Sequence, residues 1–189
     1  MQANLANLLT GSRLALAPVL LVLAWLGREP AFLVCLIISL LTDIVDGKVA
    51  RWLGQASEFG TRLDSWADFA TYLALPLCGY WLRPDFLVAE WPACVTVVLS
   101  FLVPVAIGFA KFRQLTSYHT RLARVAAYGI GGATLLMFAH GPAWPFRLAA
   151  GVLVLAALEE IAITVTLPQP CSSVPTLRHA RARREKLHG

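Results

Sequence analysis

DIVDGKVAR at residues 43–51 and GTRLDSWAD at residues 60–68 place four carboxylates inside sequence that is otherwise apolar. They belong to Asp43, Asp46, Asp64 and Asp68. Side chains three or four residues apart lie on one face of an α-helix, so the two aspartates within each segment project together. A carboxylate inside a membrane helix is costly and marks a candidate functional site. Because carboxylate oxygens are the ligands that Mg²⁺ prefers, the spacing predicts two neighbouring helices that share a metal-binding site.

The composition of the whole chain is typical of an integral membrane protein. Of its 189 residues, 58% are hydrophobic, and the mean hydropathy is +0.65. Soluble domains are about 45–50% apolar. Five of the sixteen Lys and Arg residues lie in the last twelve positions, beyond the last apolar run. Such a basic tail fits a topology signal or a contact with anionic headgroups, so we expect a lipid bilayer as partner and no nucleic acid.

Six apolar segments approach the length of about 20 residues that a membrane-spanning helix needs. They cover residues 14–26, 31–50, 63–82, 95–112, 122–139 and 145–167. The first is short, and we expect its helix to begin earlier, within residues 4–10. The predicted fold is an all-α, polytopic membrane protein with six transmembrane helices. Residues 1–170 would form one catalytic domain, and residues 171–189 a basic cytoplasmic tail.

The basic residues are unequally divided between the two sides of this topology. Thirteen of the sixteen fall on the side that carries both termini and the aspartates, and three fall on the other side: Arg28, Arg83 and Arg147. The positive-inside rule then places both termini and the aspartate-rich end in the cytoplasm. The opposite ends of the spans carry tryptophans, as an aromatic belt would. These are Trp25, Trp81, Trp91 and Trp144.

The segment at residues 43–51 also provides space beside its carboxylates. Gly47 and Ala50 lie on or beside the face that carries Asp43 and Asp46, and their small side chains leave room for a flat or extended ligand. The connection to the next span is short, so the two aspartate pairs should reach similar depth. We therefore expect an aspartate-lined cavity at the cytoplasmic side. Paired metal ions in such a site suit displacement at phosphorus.

The pattern D-x-x-D-G-x-x-A-R, then eight residues, then G-x-x-x-D-x-x-x-D resembles the signature of the CDP-alcohol phosphotransferase, or CDP-alcohol phosphatidyltransferase, family. All eight fixed positions match, namely Asp43, Asp46, Gly47, Ala50, Arg51, Gly60, Asp64 and Asp68. NLLTGSR at residues 7–13 is similar to an N-terminal motif that these enzymes often carry. Family members also resemble this chain in length and in a six-span layout.

The resemblance implies transfer of a substituted phosphate from a CDP-linked lipid, such as CDP-diacylglycerol, to an acceptor hydroxyl, with release of CMP. The four aspartates would hold a dinuclear Mg²⁺ or Mn²⁺ site, and Asp68 would also act as the general base. Gly47, Ala50 and Gly60 would admit the cytidine nucleotide, and Arg51 would help to hold it or would brace the carboxylates. The resemblance further implies a homodimer in the inner membrane of the cell.

The acceptor alcohol is predicted less directly. Basic residues and one histidine cluster between the fourth and fifth spans: Lys111, Arg113, His119, Arg121 and Arg124. Such a cluster could bind a phosphorylated acceptor, with Arg113 and Arg121 as its direct contacts, or could serve topology and headgroup contact instead. Glycerol-phosphate-using relatives usually read Asp-Pro-x-x-Asp-Lys, whereas this chain has DSWADF at residues 64–69. We expect glycerol 3-phosphate as the acceptor, with serine or inositol phosphate as alternatives.

Two further classes of function compete with the enzyme. A divalent-cation channel or transporter would also place acidic residues in the membrane, but along the whole ion path rather than at one end. A purely structural membrane subunit would leave the cost of four clustered carboxylates unexplained. Glu159 and Glu160, in the sixth span, are not assigned to the site.

Overall fold

The structure is a computed structural model, and it describes residues 5–52, 58–113 and 120–167. This part of the chain forms seven α-helices and no strand, which confirms the all-α class. The helices are α1 (Leu5–Trp25), α2 (Glu29–Trp52), α3 (Glu58–Leu82), α4 (Pro84–Ala89), α5 (Trp91–Phe112), α6 (Arg121–Phe138) and α7 (Trp144–Thr166). The predicted tail, residues 171–189, lies outside the described residues.

The six long helices coincide with the six predicted segments. The first of them, α1, begins at Leu5, because residues 5–10 continue into the apolar run as one helix. The short helix α4 was not predicted, since its six residues are too few to show a periodic pattern. Pro84 opens it, as proline often does, because its fixed φ suits the first turn of a helix.

Two of the described helices, α5 and α7, are long and apolar enough to cross a membrane. Each of these helices contains a most apolar stretch, and only 11% of that stretch in α5 and 28% of it in α7 is buried within the described structure. The core helix of a soluble protein would be mostly buried, so these exposed apolar surfaces fit contact with lipid. Shorter apolar stretches occur in α1, at Gly11–Trp25, and in α3, at Phe69–Leu82.

Four tryptophans stand at helix ends with exposed side chains. Trp25 ends α1, Trp81 is next to the end of α3, and Trp91 and Trp144 begin α5 and α7. An indole placed at the end of an apolar helix suits a membrane interface, where its ring is in the apolar layer and its N–H reaches water. Their position and exposure agree with the predicted aromatic belt.

The described chain divides into two compact units, of which the first comprises Met1–Ala89 and Phe138–Gly141. Within it, α1 packs against both α2 and α3, and α3 also contacts α4. The buried face of α1 carries Ala17, Leu20 and Ala24. From α2, Phe32 is fully buried and meets Phe138 edge to face, with ring centroids 4.6 Å apart. Because α1 contacts both of its long neighbours, it is the central element of this unit.

The second unit comprises Glu90–Met137 and Pro142–Gly189, and in it α5 packs against α7. A charged pair joins the beginnings of these helices. Nε of Arg147 donates to a carboxylate oxygen of the buried Glu90 at 2.8 Å, and a second guanidinium nitrogen donates to the other oxygen. The hydrogen bond from Arg147 lowers the pKa of Glu90 below its usual value. This two-point contact fixes α5 and α7 in register at one end.

Candidate functional site

The four aspartates of the motif lie on two helices that both pack against α1. Asp43 and Asp46 are in about the last three turns of α2, and Asp64 and Asp68 are in about the first three turns of α3. The predicted placement of each pair on one helix is thus confirmed. Of these four side chains, the structure describes that of Asp43, and the other three lie outside the described side chains.

The residues assigned to the nucleotide occupy the same helix ends. Gly47, Ala50 and Arg51 fall in the last two turns of α2, and their surroundings lie outside the described residues. Gly60 is the third residue of α3 and is half-buried. Their role in binding a cytidine nucleotide therefore stays a prediction.

Asp43 is bound by a cation from α1. Nη2 of Arg13 lies 2.8 Å from Oδ1 of Asp43, within the range of a charge-assisted hydrogen bond. The Arg13 side chain is 4% exposed, whereas that of Asp43 is 37% exposed. The guanidinium thus approaches the carboxylate from inside the helix packing, and part of the carboxylate stays accessible from outside.

The chemistry of the donor set fits a hard divalent cation. A carboxylate can accept about four hydrogen bonds or ligand contacts, and the exposure of 37% of the Asp43 side chain allows a metal to reach it. Four carboxylates provide oxygen ligands alone, which suit Mg²⁺ or Mn²⁺ and not a metal that prefers imidazole or thiolate. Among the described side chains, no group of three or more His, Cys, Asp or Glu residues lies close enough to hold a metal. Three of the four proposed ligands fall outside that set.

Two arginines were predicted to contact the acceptor, and both stand at helix ends. Arg113 caps the end of α5 in the left-handed conformation, with φ 58°, and its N–H donates to the carbonyl of Phe109 at 2.8 Å. Arg121 is the first residue of α6 and is exposed. Just before it, the buried Thr120 accepts a hydrogen bond from the N–H of Ala123 through Oγ1 at 3.0 Å, which caps the helix.

Lys111, from the same predicted cluster, has a different role. Its Nζ donates to the carbonyl oxygens of Thr164 at 2.8 Å, Val165 at 3.0 Å and Leu167 at 2.9 Å. These carbonyls lie at the end of α7, and the last carbonyls of a helix generally need partners from outside the helix. The ammonium group also compensates the negative end of the helix dipole. Lys111 therefore joins α5 to α7, and its ammonium group is engaged by these carbonyls and not directed to an acceptor.

Arg13 is the residue whose importance the sequence reasoning missed. It was counted as one of the charges that set topology and as part of the motif at residues 7–13. A signal was nevertheless present in the spacing. Arg13 precedes Ala17, Leu20 and Ala24 by four, seven and eleven residues, so it falls on the same helical face. A cation on the same helical face as buried apolar residues indicates that a group of opposite charge lies next to it inside the packing.

Comparison with known proteins shows which family the chain resembles. The family model described as CDP-alcohol phosphatidyltransferase matches residues 3–167. One similar protein is the Probable phosphatidylglycerophosphate synthase of Mycobacterium tuberculosis (strain CDC 1551 / Oshkosh). It is 31% identical over 172 residues, which cover 86% of this chain and 78% of the relative.

A second relative differs in its named acceptor. The CDP-diacylglycerol-serine O-phosphatidyltransferase of Mycobacterium bovis is 29% identical over 89 residues. That match covers 47% of this chain and only 30% of the relative's length. No solved structure matches the chain significantly. The names of the two relatives thus differ, since one is called a phosphatidylglycerophosphate synthase and the other a serine O-phosphatidyltransferase.

Proposed function

Because the chain belongs to the CDP-alcohol phosphatidyltransferase family, we propose that it transfers a phosphatidyl group from a CDP-linked lipid, such as CDP-diacylglycerol, to the hydroxyl of a small polar alcohol. The observation that carries this proposal is the motif of eight fixed residues between positions 43 and 68. All eight are present, and they are distributed over α2 and α3. An ion channel or a structural subunit would not require that pattern.

In the proposed reaction, the acceptor hydroxyl oxygen forms a bond to the lipid-bearing phosphorus. The bond between that phosphorus and the oxygen of CMP breaks, and CMP leaves. Asp68 takes the hydroxyl proton if the acceptor comes within hydrogen-bond reach of its carboxylate. Bound Mg²⁺ or Mn²⁺ would stabilise the charge that develops on the entering and leaving oxygens.

The motif residues divide into two proposed groups. Asp43, Asp46, Asp64 and Asp68 would hold two metal ions. The small residues Gly47, Ala50 and Gly60 would admit the cytidine nucleotide, and Arg51 would bind or orient it. This division is supported by residue chemistry, because carboxylates provide metal ligands whereas residues without bulk allow a planar base to approach the helix backbone.

Glycerol 3-phosphate is our proposed acceptor, and Arg113 and Arg121 are its proposed contacts. The longer of the two matches, to the phosphatidylglycerophosphate synthase, supports this choice. Both arginines are exposed at helix ends, where they can receive a ligand. Serine is the second candidate acceptor, supported by the shorter match, and inositol phosphate is the third. The phenylalanine at position 69 departs from the usual glycerol-phosphate pattern.

The proposal includes the placement of the enzyme in the membrane. We propose six transmembrane helices, with both termini, an aspartate-lined cavity and the active site on the cytoplasmic side of the inner membrane, and a homodimer. The exposed apolar surfaces of α5 and α7 support a membrane location. The distribution of basic residues supports the orientation, and removing the buried Arg13 from that count leaves twelve against three.

The test is a reconstitution with one acceptor at a time. Purified protein in detergent is mixed with CDP-diacylglycerol, Mg²⁺ and glycerol 3-phosphate, serine or inositol phosphate, and both CMP and the lipid product are measured. We expect CMP release with glycerol 3-phosphate and none in the presence of a chelator. Asp68→Asn should remove nearly all of the rate with the fold intact. Asp85→Asn, a change at an exposed aspartate of α4, should leave it unchanged.

The outcomes separate the chemistry from the choice of acceptor. CMP release with serine alone would retain the reaction and replace the acceptor. Full turnover in the chelator would contradict the metal site, and normal turnover of Asp68→Asn would contradict its role as the base. No CMP release with any of the three acceptors would contradict the proposed function.

A further inference from the structure

The guanidinium of Arg13 is the most deeply buried cation among the described side chains. The whole residue is 3% exposed, and it lies on the face of α1 that packs into the first unit. Arginine is rarely buried to this extent unless it is paired, because removing the charge from water is costly. The contact with Asp43 at 2.8 Å provides an opposite charge for Arg13.

The two partners of this contact differ in a way that suggests its purpose. Arg13 is enclosed, whereas more than a third of the Asp43 side chain is accessible. An ion pair that served packing alone would not need to leave its carboxylate accessible. Here the cation is fixed inside the packing, and the carboxylate that it holds is presented outward, on the helix that carries the motif.

We propose that Arg13 is a positioning residue for the metal site, since it holds the Asp43 carboxylate in the orientation in which its accessible part can bind a divalent cation. This inference rests on the proposed function, which makes Asp43 a metal ligand. Residues that orient a metal ligand through a hydrogen bond typically change metal affinity about 10–100-fold when they are replaced. The planar guanidinium also restricts the carboxylate's direction more than a lysine ammonium would.

Arg13 could affect the metal site by orienting Asp43 or only by its positive charge, and these two roles predict opposite changes in metal affinity when Arg13 is replaced. If Arg13 acted near the site only as a positive charge, its removal would reduce repulsion of a divalent cation and strengthen metal binding. If Arg13 orients Asp43, its removal weakens metal binding, because the carboxylate loses its fixed direction. The sign of the change therefore distinguishes the two.

The experiment measures binding of Mn²⁺ alone to the purified full-length protein in detergent, by loss of the free-ion EPR signal, and so needs no turnover. We expect Arg13→Gln to weaken Mn²⁺ binding about 10–100-fold. Arg13→Lys keeps the buried cation and should weaken it less. Arg28→Lys, a matched change at an exposed arginine between α1 and α2, should leave the affinity unchanged. Thermal unfolding and size-exclusion profiles establish that each variant is folded.

A double-mutant cycle shows whether the effect passes through Asp43. Asp43→Asn should weaken Mn²⁺ binding by itself, and adding Arg13→Gln to Asp43→Asn should cause little further loss, because the group that Arg13 orients is already altered. If the two losses multiply instead, Arg13 acts on the metal by another route and the inference is overturned.

The remaining outcomes separate this inference from the proposed function. Unchanged or tighter Mn²⁺ binding by folded Arg13→Gln, together with weaker binding by Asp43→Asn, overturns the role of Arg13 and leaves the metal site intact. Unchanged binding by Asp43→Asn overturns both, because Asp43 would not be a ligand. If neither Arg13 variant folds, Arg13 serves the fold, and the positioning role is rejected.

Discussion

Replacement of Lys111 by methionine should destabilise the second unit by an amount that can be estimated from its contacts. Methionine keeps most of the apolar stem and removes the ammonium group, which donates to three carbonyl oxygens at 2.8 to 3.0 Å. A hydrogen bond to a charged group contributes about 1.5–3 kcal/mol. The three hydrogen bonds of Lys111 share one charge, and its side chain is exposed, so in the variant water can bond to some of the carbonyls that lose the ammonium group.

We therefore expect a loss of about 2 kcal/mol in the free energy of unfolding, close to the value for one charged hydrogen bond and not for three. In a chain of 150–250 residues, each kcal/mol lowers the melting temperature by about 2–4 °C, so the expected shift is about 4–8 °C. The contact of Nζ with the ring of Phe112, at 5.2 Å to the centroid, is lost as well and is included in this range.

The assay is thermal unfolding of the detergent-solubilised protein, followed by intrinsic tryptophan fluorescence. Two variants serve as controls. Lys111→Arg retains a cation that can reach several carbonyls and should keep most of the stability. Arg124→Met removes an exposed cation of α6 for which the described residues give no ion pair, and surface changes of this kind usually stay within about 0.5 kcal/mol. Equal melting temperatures for Lys111→Met and Arg124→Met would refute the role of Lys111 at the end of α7.

Three other changes address the nucleotide, the acceptor and pH. Gly47→Leu should block the CDP-lipid by its bulk, measured by displacement of a labelled cytidine nucleotide, and unchanged affinity would assign Gly47 to helix packing. Arg113→Gln should raise the KM for a phosphorylated acceptor about tenfold or more, since a charged hydrogen bond is lost, and should leave the affinity for CDP-lipid unchanged. An equal loss of affinity for both substrates would indicate a folding role for Arg113. No effect on either substrate would favour serine as the acceptor. Glu90→Gln should lower the melting temperature at pH 7. Because Arg147 lowers the folded-state pKa of Glu90, that stabilisation is present above the usual pKa of a glutamate, about 4.3, and disappears as the pH falls through the lower folded-state value. The wild-type and variant melting temperatures should therefore converge in acid, and a constant difference would contradict the role of the ion pair.

The positions of the long helices could be predicted from the sequence, because apolar runs of about 20 residues have few other stable structures in a membrane. The expectation that α1 begins before its apolar run is also confirmed, since the helix starts at Leu5. Nothing in residues 5–10 breaks a helix, so α1 extends through a segment that is not strongly apolar. The short helix Pro84–Ala89 lies between two predicted spans, and its six residues make fewer than two helical turns and so give no detectable period.

The site was predictable only as far as its chemistry depends on local spacing. The aspartates are three and four residues apart within helices, so their pairing follows from the helical repeat. The contacts of Arg13 and Lys111 could not be inferred in this way, because they join residues that are 30 and 53 or more positions apart. Both cations were therefore assigned to topology or to the acceptor, whereas tertiary packing directs them to a carboxylate and to helix carbonyls.

The ion pair between α1 and α2 also bears on the order in which the protein is made. Arg13 is synthesised 30 residues before Asp43, and at about 5–20 residues per second its partner follows only seconds later. During that interval the nascent α1 carries an arginine without its carboxylate at the end of its apolar run, and taking an unpaired arginine into the centre of the apolar layer would cost about 2.5–3.5 kcal/mol. We therefore expect α1 to wait at the membrane interface and to enter the bilayer together with α2, as a helical hairpin.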